Sequence, residues 1–367
     1  MVDGGAAIPG TYVPYCIDFT GGRASRNISL DGLPTLLSVA TKLNSNPTAI
    51  PQGSLKMMMS SSKSSAEVFA VYSDVHMVRM KTPGPTITGH EIVGTVVKAG
   101  PKSEHKVGER VGFGGQAGSC RSCARCKDEF ENYCPKSQNA FLSPLESESQ
   151  PYTQGGFSDY YQAKGHFAIK IPEEVSSVDA APLLCAGVTV FTHLKHYKAG
   201  PGVKVGVVGT GGLGHVGLAT GAHVTAISSS SSKREDAAKL GADAHLDTSD
   251  EKAVKAAFST LDLIICTSYQ DNMPLKEVYL PLLRPLGNIV ILGLAESGYP
   301  TLGVWDLLGK SVTSSMIGSP KDHADMFATV VKHNIRPWVQ TRPIAKAGKA
   351  FTDFRKGVPK YRFVLTA

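Results

Sequence analysis

A glycine-rich turn at the end of a short apolar run is the feature that most constrains the fold of this chain. Residues 203–208 are largely apolar, are bounded by glycines and are too few for a helix, which is typical of a strand buried on both faces. The next six residues, Gly209, Thr210, Gly211, Gly212, Leu213 and Gly214, fit the pattern G-x-G-x-x-G and open a helix. Gly209 permits the tight turn, Gly211 lets the backbone approach a pyrophosphate, and Gly214 lets helix and strand pack closely. The turn therefore predicts a dinucleotide site in which the pyrophosphate lies at a helix N-terminus.

The chain around this turn alternates between strand-like and helix-like segments. Short apolar runs recur at residues 224–227, 261–265 and 288–292, and helical stretches lie between them at residues 233–240 and 274–283. Strands that alternate with helices indicate an α/β protein with a doubly wound parallel sheet of the Rossmann type.

The residues upstream of this predicted sheet divide into two stretches. From about residue 67, short β-rich segments such as residues 92–97 are punctuated by Gly and Pro, which predicts a compact β-rich domain. Residues 1–66 contain polar stretches and no sustained hydrophobic period, so we expect a divergent or partly disordered N-terminal segment there. A chain of 367 residues is long enough for two domains, which agrees with this division.

Composition argues against several classes of function. We find no apolar run near the roughly 18 residues that a membrane span needs, and no basic and apolar leader at the N-terminus, so we expect a cytoplasmic protein. The net charge of +7 comes from scattered Lys and Arg residues without a basic stripe interleaved with aromatic side chains, which argues against a nucleic-acid partner. The charge fits a mildly basic surface or the attraction of an anionic ligand such as a dinucleotide phosphate.

The residues after the second strand of the predicted sheet distinguish the two nicotinamide dinucleotides. An NAD site usually carries Asp or Glu at this point, where the carboxylate holds the ribose 2′-hydroxyl. Here the strand is followed by hydroxyl and cationic side chains, namely Ser228, Ser229, Ser230, Ser231, Ser232, Lys233 and Arg234. Hydroxyl groups and cations favour a 2′-phosphate. We therefore expect NADP(H) as the cofactor, with a flexible polar loop as the alternative interpretation.

Four of the seven cysteines are crowded into a short stretch, at Cys120, Cys123, Cys126 and Cys134. Four thiolates at this spacing can close around one ion as a tetrahedral site. Disulfides are the poorer alternative in a reducing cytosol. We therefore expect a structural zinc. Because protein ligands fill all four of its positions, this zinc should stiffen a loop and leave the chemistry to other residues.

Several segments of the chain together carry a family likeness. Besides the cysteine lobe and the glycine turn they are Gly89-His90-Glu91-Ile92-Val93-Gly94, Gly155-Gly156-Phe157, Leu184-Cys185-Ala186-Gly187-Val188-Thr189 and Lys360-Tyr361-Arg362-Phe363-Val364. In this combination the chain resembles the zinc-dependent medium-chain dehydrogenases, specifically their cinnamyl-alcohol-dehydrogenase-like branch. The resemblance covers about residues 67–367.

The resemblance implies a GroES-like, β-rich catalytic domain built from both chain ends and a Rossmann domain between them. We assign residues 67–178 to the first part of the catalytic domain, residues 179–317 to the Rossmann NADP-binding domain and residues 318–367 to the return. The resemblance also implies a homodimer with the active site in the interdomain cleft, and reversible NADPH-dependent reduction of small-molecule aldehydes to primary alcohols. The family's cofactor contacts correspond to Thr189, Gly209, Thr210, Gly211, Gly212, Leu213, Gly214, Ser228, Ser229, Ser230, Lys233, Thr267, Gly293, Ser315, Met316 and Ile317.

The resemblance also implies a second, catalytic zinc, held by a Cys, by the His of the G-H-E segment and by a later Cys. The last two ligands correspond to His90 and Cys185, but the first falls on Val71, which offers no lone pair. Glu91 can complete a set of three protein ligands and leave the fourth position open for substrate. Asp74 is a less favoured substitute for the missing ligand.

The implied proton-transfer residues lie in the segment that follows Val71. Zinc polarises the aldehyde oxygen, the cofactor supplies a hydride, Ser73 passes a proton to the alkoxide, and His76 relays it to solvent, with Asp74 between them in the sequence. The missing zinc ligand leaves two alternatives open. One is a zinc-free NADPH reductase of activated C=N or C=C bonds, and the other is a non-catalytic NADP-binding protein.

Overall fold

The described part of the chain contains two large sheets, one two-stranded sheet and several short helices. The computed structural model describes the backbone of residues 54–58 and 66–69 and, more fully, residues 87–145, 152–158, 160–209, 222–268, 273–293, 299–356 and 361–366. The strands are β1 Ser54–Met58, β2 Ala66–Phe69, β3 Ile92–Ala99, β4 Arg110–Phe113, β5 Gln116–Gly118, β6 Gln138–Asn139, β7 Tyr160–Lys164, β8 Ile169–Lys170, β9 Lys204–Val208, β10 His223–Ser228, β11 Ala244–Asp247, β12 Leu261–Cys266, β13 Leu283–Ile291, β14 Lys310–Ser314, β15 Val339–Pro343 and β16 Arg362–Thr366. The helices are α1 Ala124–Lys127, α2 Ser177–His196, α3 Arg234–Lys239, α4 Glu251–Ala256, α5 Leu280–Leu282, α6 Pro320–His333 and α7 Ala347–Arg355.

The second large sheet is parallel and has the strand order β11-β10-β9-β12-β13-β14. Counted along the chain, this is the order 3-2-1-4-5-6 of a doubly wound dinucleotide-binding sheet. The predicted Rossmann fold is therefore confirmed.

Alternate residues of the central strands in this sheet enter two different hydrophobic clusters. Val205 and Val207 of β9 pack in one cluster with Leu263 of β12, whereas Val208 packs in the other with Ile264. All five side chains are almost fully buried. A parallel strand that is covered on both faces needs apolar residues at every position, which explains the short apolar runs in the sequence.

The other large sheet joins strands from distant parts of the chain in the order β15-β16-β2-β3-β1-β7, with β4 paired to β3 and β8. Strand β16 pairs with β15 and with β2, so the C-terminal strand lies in the same sheet as the upstream strands. Strand β1 pairs with β3 and β7. The sheet therefore includes Ser54–Met58, which lies within the stretch of residues 1–66 that the sequence assigns to a divergent or partly disordered segment.

Helix α2 connects the two domains and contains a π-helical turn at Leu183–Gly187. By length and composition alone α2 is apolar enough to cross a membrane, which the sequence analysis did not anticipate, but 72% of its most apolar window is buried inside the protein. Leu183 and Leu184 pack against Met326 and Phe327 of α6. Burial of this kind is expected of a core helix, so the finding is weak evidence for a membrane.

Candidate active site and cysteine lobe

The four clustered cysteines form a group that fits one tetrahedral metal ion. Their sulfur atoms all lie within 4.8 Å of one another. The Sγ–Sγ distances are 3.5 Å for Cys120–Cys134, 3.6 Å for Cys123–Cys126 and 3.9 Å for both Cys120–Cys126 and Cys123–Cys134. Four thiolates at about 2.3 Å from a zinc ion would lie about 3.8 Å apart. The four cysteines carry free thiols and form no disulfide, so their donor set and spacing suit a structural zinc.

The electrostatics of this lobe also favour metal binding. Backbone N–H groups of Ser122 and Cys123 lower the pKa of the Cys120 thiol to about 5. A thiol with this pKa is ionised at neutral pH, and the thiolate is the form that ligates zinc. The cysteine lobe, residues 120–134, includes α1 and the short helical turn Glu131–Tyr133.

Gly209 stands at the carboxyl end of β9 and has the conformation that a tight turn requires. Its φ angle is +83°, and a side chain there would have its Cβ only 3.0 Å from the Cβ of Ser268. The hydroxyl of Thr267 donates to the carbonyl oxygen of Gly209 at 2.9 Å. Ligands of open α/β sheets bind outside the carboxyl ends of the strands, so Gly209 and Thr267 lie where a dinucleotide is expected. Of the glycine turn, Thr210, Gly211, Gly212, Leu213 and Gly214 lie outside the described residues.

The serine-rich segment leaves the carboxyl end of β10, next to β9. Ser228 is half-buried, Ser229 and Ser230 are exposed, and Lys233 lies at the start of α3. These side chains stand at the same edge of the sheet as Gly209, as the sequence predicts. A carboxylate that sequence reasoning missed lies beside them, because Asp247 of β11 pairs in register with Ser228.

The Asp247 carboxylate is occupied by local hydrogen bonds. The hydroxyl and the backbone N–H of Ser249 both donate to Asp247 Oδ1, at 2.7 and 3.0 Å, and these bonds lower the pKa of the carboxyl. The pairing of β10 with β11 at this register cannot be read from a sequence. The predicted absence of a carboxylate therefore refers to the residues that follow β10 and does not extend to β11. The backbone N–H of Thr248 donates to Ser228 O at 2.8 Å and fixes the end of the strand.

A buried ion pair dominates the predicted reaction centre. Glu91 is fully buried and accepts hydrogen bonds from Arg362 Nη1 at 2.8 and 3.2 Å and from the backbone N–H of Ala186 at 3.1 Å. Glu91 therefore joins the start of β3, the start of β16 and the π-helical turn that carries Cys185. His90 is buried beside it, and Arg362 is a site residue that sequence reasoning assigned no role.

The predicted catalytic zinc ligands are not brought together as a complete set. Among the residues that the structure describes, the four cysteines alone bring three or more potential ligand atoms close enough to hold one metal ion. His90 and Cys185 offer one ligand each, whereas Glu91 is engaged with Arg362. The described residues therefore supply two free ligands for a catalytic metal and not three. Val71, Ser73, Asp74 and His76 lie outside the described residues, so their roles stay predictions.

A hydrogen-bonded chain links the predicted metal ligand Cys185 to the predicted cofactor segment Ser315 to Ile317. The Thr189 hydroxyl donates to Cys185 O at 2.6 Å and accepts from the backbone N–H of Ile317 at 3.0 Å. Ile317 has a φ angle of +50°, which is a strained conformation for a β-branched residue. Strain of this kind persists where the surroundings hold the backbone in place, and it is concentrated at functional sites.

A second contact fixes the same π-helical turn from α6. Both ring nitrogens of His323 face carbonyl oxygens at 2.8 Å, Nε2 that of Leu184 and Nδ1 that of Ser319. Burial lowers the pKa of His323 below its ordinary value, although both carbonyls favour the charged ring. Sequence reasoning missed this residue because nothing in its neighbourhood along the chain marks it.

The remaining predicted cofactor residue, Gly293, follows β13 and accepts a hydrogen bond from Tyr299 Oη.

Fold and site together define a two-domain, dinucleotide-dependent dehydrogenase with a metal-binding cysteine lobe. The family model described as the alcohol dehydrogenase GroES-like domain matches residues 67–173, and the zinc-binding dehydrogenase model matches residues 212–332. The chain belongs to this family of zinc-binding alcohol dehydrogenases.

Relatives and solved structures agree with this membership. The chain is 40% identical over 309 residues to "NADP-dependent alcohol dehydrogenase 6" of Saccharomyces cerevisiae, and the match covers 80% of this chain and 84% of that protein. It is 40% identical, with the same coverage, to "Cinnamyl alcohol dehydrogenase 8" of Arabidopsis thaliana. Its structure matches that of a cinnamyl alcohol dehydrogenase from Sorghum bicolor with a TM-score of 0.78 and 32% identity, over 87% of this chain and 92% of that one. The predicted family resemblance is confirmed.

Proposed function

We propose that this protein interconverts aldehydes and primary alcohols with NADP(H) as the hydride carrier. One observation supports this most directly. The Thr189 hydroxyl joins Ile317, which follows the dinucleotide-binding sheet, to the turn that carries Cys185. The predicted cofactor segment and the predicted reaction centre are therefore in direct contact. Relatives named as NADP-dependent alcohol dehydrogenase and as cinnamyl alcohol dehydrogenase support the same activity.

The chain's own residues contribute binding and orientation. Gly209 permits the tight turn at the carboxyl end of β9, where the dinucleotide would bind, and Ser228, Ser230 and Lys233 offer donors and positive charge to a 2′-phosphate. When bound, the cofactor supplies or accepts the hydride. His90 is buried, so a substrate carbonyl that bound beside it would be shielded from water.

The test is a turnover assay with NADPH, cinnamaldehyde and the purified full chain, with zinc measured by elemental analysis in the same sample. We expect NADPH to be consumed in proportion to the alcohol formed, and at a much lower rate with NADH. Absence of alcohol and of NADPH consumption across a panel of aromatic and aliphatic aldehydes would contradict the proposal.

A zinc-free NADPH reductase of activated C=N or C=C bonds is the second candidate. It is favoured by one observation, which is that described residues offer two catalytic zinc ligands while Glu91 is held by Arg362. An activated double bond needs no metal to polarise it. Reduction of conjugated enals at the C=C bond by a protein that holds a single zinc per chain would favour this candidate over the first.

We further propose that the protein is a homodimer joined through β14 and the segment that precedes it. Strand β14 is the edge of the parallel sheet. Large apolar side chains are exposed nearby, with Leu286 83%, Val304 77%, Trp305 82% and Leu308 71% accessible, and Leu286 N donates to Gly309 O at 2.6 Å. An apolar patch beside a strand that lies at the edge of the described sheet suits a second copy of the same sheet. In sedimentation, Trp305→Ser should weaken the dimer and Phe258→Ser, an exposed aromatic control, should not.

The free thiols of the cysteine lobe support a location in a reducing compartment. We therefore propose a cytoplasmic protein. Fractionation of cells that express the untagged chain tests this, and recovery in a secreted or membrane fraction would oppose it.

A further inference from the structure

One short helical turn of the cysteine lobe contacts both domains. The turn Glu131–Tyr133 ends immediately before the ligand Cys134. On one side, Glu131 is buried, pairs with His166 Nε2 at 3.1 Å and accepts through its carbonyl oxygen a hydrogen bond from Gln116 Nε2 at 2.7 Å. The turn is thereby anchored to the catalytic domain.

On its other side the same turn contacts the segment that follows β14. The Tyr133 hydroxyl lies 2.5 Å from Ser315 Oγ, and Asn132 Nδ2 donates to Met316 O at 3.3 Å. A third contact joins the lobe to α6, where Lys321 Nζ lies 2.7 Å from Glu129 Oε2. Consecutive residues of one turn thus hold the catalytic domain with one side chain and the predicted cofactor segment with the next two.

The contacted segment lies at the reactive end of the cofactor site. Ile317 N is bonded to Thr189, whose hydroxyl also bonds Cys185 O, and the methyl Cγ2 of Ile317 lies against the Gly115 position near the His90 ring. The predicted 2′-phosphate site begins at Ser228, the last residue of β10. In the sheet, β10 lies two strands away from β12 and further still from β14, which directly precedes Ser315. Hydride transfer requires the nicotinamide near the reaction centre, so Ser315 to Ile317 face that end of the dinucleotide and not the adenosine end.

We propose that the cysteine lobe positions the nicotinamide end of NADP(H), with Tyr133 and Asn132 as positioning residues. The lobe holds Ser315 and Met316 and so keeps the strained backbone of Ile317 in its binding conformation. Metal loading of the four cysteines then sets the affinity for the complete cofactor, because the metal fixes the turn that makes these contacts. This inference rests on the proposed function and assigns to the lobe a role beyond stiffening a loop.

The test measures binding of two ligands to the purified full chain and to Tyr133→Phe. One ligand is NADPH, and the other is 2′-phospho-ADP-ribose, which lacks the nicotinamide. Loss of one hydrogen bond should weaken NADPH binding by about fivefold and leave the fragment unchanged. Zinc content should also be unchanged. A purely structural role of the tyrosine would weaken both ligands together. Tyr161→Phe, which removes a hydroxyl bonded to Ala140 O inside the catalytic domain, is the matched control and should alter neither.

Two further measurements complete the test. The double variant Tyr133→Phe with Ser315→Ala should bind NADPH no more weakly than Ser315→Ala alone, because both changes remove the same contact. Protein stripped of zinc by a chelator should lose NADPH affinity by more than it loses fragment affinity. Equal affinities of wild type and Tyr133→Phe for NADPH would overturn the inference. If wild-type protein bound no NADPH at all, the proposed function itself would fail, which is a distinguishable result.

Discussion

Replacement of Arg362 by methionine should destabilise the protein strongly, because it leaves a carboxylate buried without its cation. Glu91 and Arg362 side chains are 0% and 3% exposed and lie 2.8 Å apart. Breaking a buried pair by removing one partner costs about 3–5 kcal/mol. The backbone N–H of Ala186 would remain as a partner of Glu91 and would offset part of this cost, so we expect about 3 kcal/mol.

Chemical denaturation of the wild type, Arg362→Met and a surface control measures this loss. The control is Lys255→Met, which removes an ion pair whose side chains are 72% and 87% exposed and 3.8 Å apart. Exposed pairs contribute little, so its denaturation midpoint should stay close to that of the wild type. The double variant Glu91→Gln with Arg362→Met should recover part of the stability, because it also removes the buried negative charge.

The loss of stability in Arg362→Met should also depend on pH. Without Arg362, burial should raise the pKa of the Glu91 carboxyl in the folded protein above its value in the unfolded chain. A group of this kind favours folding when it is protonated, so the deficit of Arg362→Met should shrink as the pH falls from 7 towards 5. A deficit as small as that of Lys255→Met, or one that does not change with pH, would refute the reasoning.

Three further variants test other parts of the account. Val71→Cys restores the family's missing ligand and should raise chelator-resistant zinc from about one per chain towards two; an unchanged content would mean that position 71 does not face the metal. Ser230→Asp should weaken NADPH binding by roughly a hundredfold, because it places a like charge beside the 2′-phosphate, whereas Ser259→Asp at the opposite edge of the sheet should not; equal binding of both variants would remove Ser230 from the phosphate site. Burial lowers the pKa of His323, so the unfolded chain binds the proton first as the pH falls below about 6.5, and the free energy of unfolding should decrease by up to about 1.4 kcal/mol per pH unit through this group. In His323→Gln the slope of unfolding free energy against pH should be smaller by that amount, and an unaltered slope would contradict the assignment.

The parallel sheet could be predicted because its central strands are covered on both faces. Burial on both sides demands continuous apolar runs, and these stand out in a sequence at β9, β10, β12 and β13. The edge strands β11 and β14 are partly exposed and polar, with residues such as Asp247 and Lys310, and the sequence analysis did not identify them. Strand β1 was missed for a different reason, because its residues Ser-Leu-Lys-Met-Met carry little β-propensity.

The site divides in a similar way between local and long-range features. Cysteine spacing and the glycine turn are local patterns, so Cys120, Cys134 and Gly209 could be assigned from the sequence. The partners of Glu91 and Tyr133 lie 271 and 182 residues away along the chain. Such pairs arise from the return of the C-terminal strand and from contact between the two domains, which no local pattern in one sequence specifies.

Transfer of deuterium from NADPH labelled at the nicotinamide C4 position tests the central claim most directly. With an aldehyde substrate and the purified chain, the account predicts a primary alcohol that carries one deuterium on the former carbonyl carbon. Reduction of the aldehyde without the label, or loss of labelled NADPH without any alcohol, would contradict direct hydride transfer at this site.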